Sequence, residues 1–222
     1  MFQHLDNLLR ARGDVAAARV TPGTLGWFLT LLLVCGICYG MTMGAYTPER
    51  APRPQQMLYS GLKVPLLLLA TFAISLPNYF VLYTLFGLRD DFSRALRALL
   101  ATQAGLTVIL ASFAPFTALW YCSSTDYRSS ILFNGLMFAI AALASQLMLR
   151  RYYRPLIARN ANHRILLRCW LIIYGFVGIQ MGWILRPFIG QPDQPTTFFR
   201  EEIWGNAYVI LYKMITSLLN SI

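Results

Sequence analysis

The chain has 222 residues, 57% of them hydrophobic and 13% charged, with a mean hydropathy of +0.51 and a net charge of +10. A soluble domain carries about 25% charged residues, so this composition excludes a water-covered globule, and with it disorder and a disulfide scaffold. The basic excess would point to nucleic acid in a soluble chain. Here the basic residues lie between apolar stretches, where they meet anionic lipid headgroups and fix orientation, so no nucleic-acid partner is expected.

Residues 1–23 are polar and mixed, with Leu5, Leu8 and Leu9 on one helical face and Arg10, Arg12 and Arg19 interspersed. That pattern predicts an amphipathic helix on the membrane surface. A cleaved signal peptide is the competing reading, but the apolar stretch 24–46 is too long for one and lacks a clear cleavage site, so it reads as the first span. The second stretch, 58–86, holds Pro65 and Pro77 and exceeds the ~30 Å hydrocarbon core, which predicts tilt or a kink. Stretches 98–120, 130–149 and 165–185 follow; the fourth is barely long enough to span, and the fifth stops at Arg186-Pro187. In 203–222, Ile203, Ala207, Ile210, Leu211, Met214 and Leu218 keep helical spacing while Asn206, Lys213, Ser217 and Asn220 dilute the rest. This favours an interfacial amphipathic helix over a sixth span.

The fold expected is therefore an all-α polytopic membrane bundle of five transmembrane helices with N- and C-terminal amphipathic helices. Its divisions are a 1–23 segment, a 24–188 bundle and a 189–222 loop and helix. Twelve Lys and Arg fall on the N-terminal side of such a bundle and seven on the other, which places the N-terminus in the cytoplasm.

Gly36, Gly40 and Gly44 recur every four residues in the first span, and Gly178 and Gly182 in the fifth. Such spacing leaves a flat groove where another helix approaches closely. Cys35 and Cys38 form a C-x-x-C, yet an apolar helix raises thiol pKa, so they read as packing residues. The middle of each stretch lacks Asp, Glu, Lys and Arg, which disfavours proton- or ion-coupled transport. The polar residues at depth are Asn78, Gln103, Asn134, Gln146 and Gln180. His4 and His163 both fall in polar segments, too far apart in sequence for a metal or haem site, and no phosphate loop or nucleophile elbow appears. No catalytic residue, metal or cofactor is expected, and the chain reads as a non-enzyme.

Two extramembrane patches stand out. Arg150, Arg151 and Arg154 open a loop running to Arg164 without an acid, suited to anionic headgroups. Arg186, Phe188, Arg200 and Trp204 lie in an aromatic, proline-stiffened segment that reads as a docking surface.

The segments Leu62-Lys63-Val64-Pro65-Leu66, Leu76-Pro77-Asn78-Tyr79, Ala114-Pro115, Gly178-Ile179-Gln180-Met181-Gly182-Trp183 and Arg186-Pro187-Phe188-Ile189-Gly190 resemble a family of small bacterial multispan proteins. That family is distantly similar to the Yip proteins. The resemblance covers roughly residues 30–210. It implies five spans, a cytoplasmic N-terminus and a non-enzymatic role, and names no catalytic residue; the trafficking partners of Yip proteins are not carried over. The expectation is a scaffold or accessory subunit that contacts lipids and other membrane subunits. The alternative is a channel or carrier for a neutral or lipid-like solute, with a cavity near Asn78, Gln103, Asn134 and Gln180.

Overall fold

The computed structural model describes Asp6, Leu8 and residues 21–47, 53–191 and 195–199. Across residues 21–191 five α-helices follow one another: α1 (Pro22–Gly44), α2 (Pro54–Leu85), α3 (Phe92–Ser123), α4 (Tyr127–Arg159) and α5 (Asn162–Ile184), with a 3-10 turn at Arg89–Asp91 leading into α3. Each is long and apolar enough to cross a membrane, and the described residues contain no strand. This is the all-α bundle expected of an integral membrane protein. Most of the 1–23 segment, and all of 203–222 with Arg200 and Trp204, lie outside the described residues.

The helix starts follow from local chemistry. Thr21 and Thr24 form a reciprocal capping box ahead of Pro22, whose missing N–H is harmless at the first helical position. Asp126 accepts the Ser129 N–H at 2.7 Å to start α4. That backbone bond holds the Asp126 carboxyl below its ordinary pKa.

The fourth helix departs from expectation. Hydropathy ends its span at 149, yet α4 continues to Arg159, so Arg150, Arg151 and Arg154 occupy helical turns rather than a loop. The extension persists because Tyr152, Tyr153 and Leu156 bury one face while those three arginines stay exposed on the other. Tyr152 also donates its hydroxyl to the Leu8 carbonyl at 2.6 Å.

Packing is uneven around the bundle. α1 lies closely on α2 and α3, α3 on α4, and α2 on α5, whereas α4 and α5 touch each other little. The α1 glycines explain the first contact. A Cβ on Gly40 would stand 2.8 Å from the Gly61 Cα, and one on Gly44 would stand 2.7 Å from the Gln56 carbonyl oxygen. Gly36 is less pressed, 3.4 Å from Pro65 by the same measure. In α5 a Cβ at Gly178 would meet Thr71 at 3.5 Å, and one at Gly182 would meet nothing.

Gly40→Ala is therefore expected to lower the thermal midpoint of the detergent-solubilised protein, at a cost of about 1–3 kcal/mol from overpacking against backbone. Gly26→Ala, where an added Cβ has open space, is the control and should leave the midpoint unchanged.

Candidate functional site

The chain leaves α5 at Ile184 and does not emerge into a loose loop. It turns back across a cis Arg186–Pro187 peptide and packs Leu185 and Ile189 into the bundle. Non-helical backbone inside a membrane bundle is tolerated only where its polar groups find partners. One face of α2 supplies them. Arg53, Gln56, Ser60 and Lys63 are spaced three, four and three residues apart, which aligns them along the helix. Arg53 Nη1 donates to the Gln191 carbonyl at 2.9 Å, Gln56 Nε2 to that of Phe188 at 3.3 Å, and Lys63 Nζ to that of Pro187 at 2.6 Å. Ser60 Oγ also donates to the Phe188 carbonyl, and from α4 the Tyr127 hydroxyl reaches Ile189 O at 3.3 Å. The Phe198 ring centroid lies 5.0 Å from Lys63 Nζ, a cation–π distance.

Lys63 corrects the sequence reading. One of the seven basic residues counted on the side away from the N-terminus, it is fully buried in α2. Arg186, from the expected docking segment, is half-buried, its guanidinium 3.2 Å above the Trp183 ring. Phe188 is half-buried beside it, so residues 186–189 of this segment are folded against the bundle rather than projecting from it. Arg150, Arg151 and Arg154 sit at the other end of the bundle and do not join this group.

That other end holds a second polar cluster. The hydroxyls of Tyr79 and Tyr153 lie 2.8 Å apart, and Tyr83 OH lies 3.1 Å from His163 Nδ1. His163 Nε2 is 3.4 Å from Asp91 Oδ2, and Asp91 also pairs with Arg94 and, at 3.7 Å, with Arg159. His163, assigned to a polar segment from the sequence, has no exposed surface; Tyr83 of α2 and Asp91 of the 3-10 turn meet its two ring nitrogens.

Between the two ends, where α4 and α5 separate, lies a chamber of about 510 Å³. Its walls are mostly carbon: Leu68, Leu106, Phe138, Leu149 and Trp170 among others. Gly135, Ala139 and Ala142 of α4 face Gly175 and Ile179 of α5 across it. All five are exposed, so the chamber opens sideways, toward the side that lipid would cover. An added Cβ at Gly135 or Gly175 would meet nothing. Polar groups are few. Tyr174 OH donates to Gln103 Oε1 at 2.9 Å, while Thr71 Oγ1, on a residue 1% exposed, and Gln146 Oε1 have no partner among the described residues.

Of the four polar residues expected around a cavity, Gln103 lines this chamber and Asn134 an adjoining one; Gln146, which was not among them, lines the chamber as well. Asn78 is exposed, bonds its own helix at Ile74 and lines a separate space between α2 and α5 with Val81, Ile172 and Phe176. Gln180 lines none of these spaces. Asn134 is tied into a network instead, accepting from Tyr39 OH at 3.2 Å and donating to Tyr121 OH at 2.8 Å. Among the described residues no cluster of His, Cys, Asp and Glu could hold a metal.

These features define a five-helix membrane bundle with an internal turn and a lateral chamber. Comparison of the chain with protein-family models, curated proteins and solved structures finds no match.

Lys63→Met keeps the apolar stem but leaves the Pro187 carbonyl without its ammonium partner. In a version with the four native cysteines replaced, an Ile189→Cys thiol is expected to resist maleimide, since Ile189 is 4% exposed. Adding Lys63→Met is expected to raise its labelling rate about tenfold, the effect of losing ~1.4 kcal/mol of closure.

Proposed function

We propose that this protein is a non-enzymatic integral membrane protein of the bacterial inner membrane, with a cytoplasmic N-terminus, that takes a lipid-like molecule into the chamber between α4 and α5. The observation that carries this reading is the pairing of a carbon-walled, laterally open chamber with a buried hydroxyl, Thr71 Oγ1, that has no partner among the described residues. Buried polar atoms in proteins are nearly always bonded, and an orphan lining a cavity marks where a guest's polar group fits. A volume near 510 Å³ falls within the ~300–1,000 Å³ of small-molecule sites. A guest entering between α4 and α5 needs no aqueous path.

Accessory-subunit behaviour is a second reading, favoured by the exposed Arg150, Arg151 and Arg154 on the last turns of α4. Two buried tyrosines between them hold these arginines outward in a fixed array, suited to anionic headgroups or an acidic partner subunit. Stoichiometric protein companions after gentle extraction, lost on replacing the three arginines, would favour it.

The chamber reading is tested by filling the space. Gly135→Leu and Gly175→Leu place side chains where nothing now stands, so both variants are expected to fold. Mass spectrometry of small molecules extracted from the purified protein should find a lipid-like compound near one per chain in the parent, and about tenfold less in the variants. Equal amounts in all three, or none in any, would overturn the reading.

A further inference from the structure

We propose that the chamber's guest is an uncharged alcohol with a long apolar chain, its hydroxyl bonded by Thr71 and Gln146; this rests on the chamber reading above. Among the polar side chains of the wall, Thr102 donates to the Ala98 carbonyl, Ser145 to that of Ala142, and Tyr174 to Gln103 Oε1. Those four are in use. Thr71 Oγ1 and Gln146 Oε1 are buried and have no partner among the described residues. Thr71 also departs from the habit of the helical threonines in this chain. Thr30, Thr42, Thr84 and Thr102 each bond the carbonyl four residues back. Thr71 instead turns its methyl group toward Gly178 of α5 and leaves its hydroxyl unbonded.

The two unbonded groups together select the head of the guest. Gln146 Oε1 only accepts, so the guest must bring it a proton. An ether, ester or ketone oxygen has none, and a carboxylate would set a second acceptor against it. An ammonium group donates, but taking its charge into a carbon-walled space costs far more than taking a hydroxyl there. A hydroxyl gives its proton to Gln146 and keeps lone pairs for the proton of Thr71.

The surroundings select the rest of the molecule. A second cavity, of about 350 Å³, shares Leu67, Gly135 and Phe138 with the chamber, so the two spaces adjoin. The polar groups in its wall already hold partners: Asn134 with Tyr39 and Tyr121, Tyr127 with the Ile189 carbonyl, and Arg186 over the Trp183 ring. What this space offers a guest is carbon, from Met43, Ile131 and Phe188 among others. A small polar solute bound at Thr71 would leave that carbon uncovered, whereas a long chain covers it.

The test uses the full chain with cis-parinaryl alcohol, its methyl ether and cis-parinaric acid, three probes with one chain and different heads. Binding is read by energy transfer to the polyene from tryptophan, of which Trp170 lines the chamber. At about pH 8, where the acid is ionised, the alcohol is expected to bind about tenfold more tightly than the ether or the acid. Thr71→Val and Gln146→Leu should each bring the alcohol most of the way to the ether's affinity and leave the ether unchanged. Each substitution removes a buried polar atom that bonds nothing in the protein, so both variants are expected to fold. Equal binding of alcohol and ether to the parent protein would overturn the hydroxyl assignment while keeping the chamber, and tighter binding of the acid would overturn the uncharged head. An alcohol preference that survives both substitutions would overturn the roles of Thr71 and Gln146. Binding of no probe would overturn the chamber reading, and this proposal with it. Displacement of the alcohol by millimolar glycerol would reassign the site to a small polar solute.

Discussion

The arrangement of this bundle depends on one requirement: backbone that leaves its helix inside an apolar medium must have its carbonyls bonded. Each unbonded polar group there costs several kcal/mol. The turn after α5 presents four such carbonyls, and the polar face of α2 with Tyr127 of α4 meets them. Close approach of α1 to the same α2 segment is possible only because Gly40 and Gly44 carry no side chain. Ser60 stands in both contacts, pressed by Gly44 and bonded to the carbonyl-rich turn. The ends of α4 and α5 are positioned through that turn, and the shared wall of the two cavities follows from where they stand.

The helices were legible in the sequence because long apolar stretches need only length and hydropathy to identify them. Their ends were not. Past residue 149 hydropathy falls, but α4 continues because Tyr152, Tyr153 and Leu156 have partners on other helices, and only the assembled bundle reveals those partners. Lys63 shows a deeper limit. A lone cation near one end of an apolar stretch reads as an interfacial anchor, since snorkelling is its usual fate. The contrary signal was its phase with Arg53, Gln56 and Ser60, one polar stripe on a helix otherwise rich in Leu. Thr71 gave no signal, because a threonine in a span ordinarily bonds its own helix, as Thr102 does with Ala98. The α1 glycines carried more information: their four-residue repeat marked a close helix approach, and the structure identifies α2 as the neighbour.

The two ends of the bundle solve the same problem with different chemistry. At one, side chains of α2 bond backbone. At the other, side chains bond one another: the Tyr79–Tyr153 pair, and Tyr83 to His163 to Asp91, where Arg94 and Arg159 converge on a single carboxylate. Phe72, Tyr79 and Tyr174 pack around Trp170 between them, edge-on, tilted and stacked in turn. Such cross-links order four helices where loops alone would leave them free to splay, and they do so with few formal charges.

Because α4 and α5 are tied into the bundle near both ends and part only between them, the opening is a window framed on all sides. Whatever enters comes from the hydrocarbon layer, where a lipid component is already concentrated far beyond its solubility in water. Occupancy then follows mole fraction in the bilayer, and an interaction too weak to register against an aqueous ligand suffices to fill the space. The same linkage makes stability of the bundle a function of its surroundings, since a guest that binds only the folded form adds RT ln(1 + [L]/Kd) to it. On the reading proposed above, a window of this kind would couple the protein to the composition of its membrane.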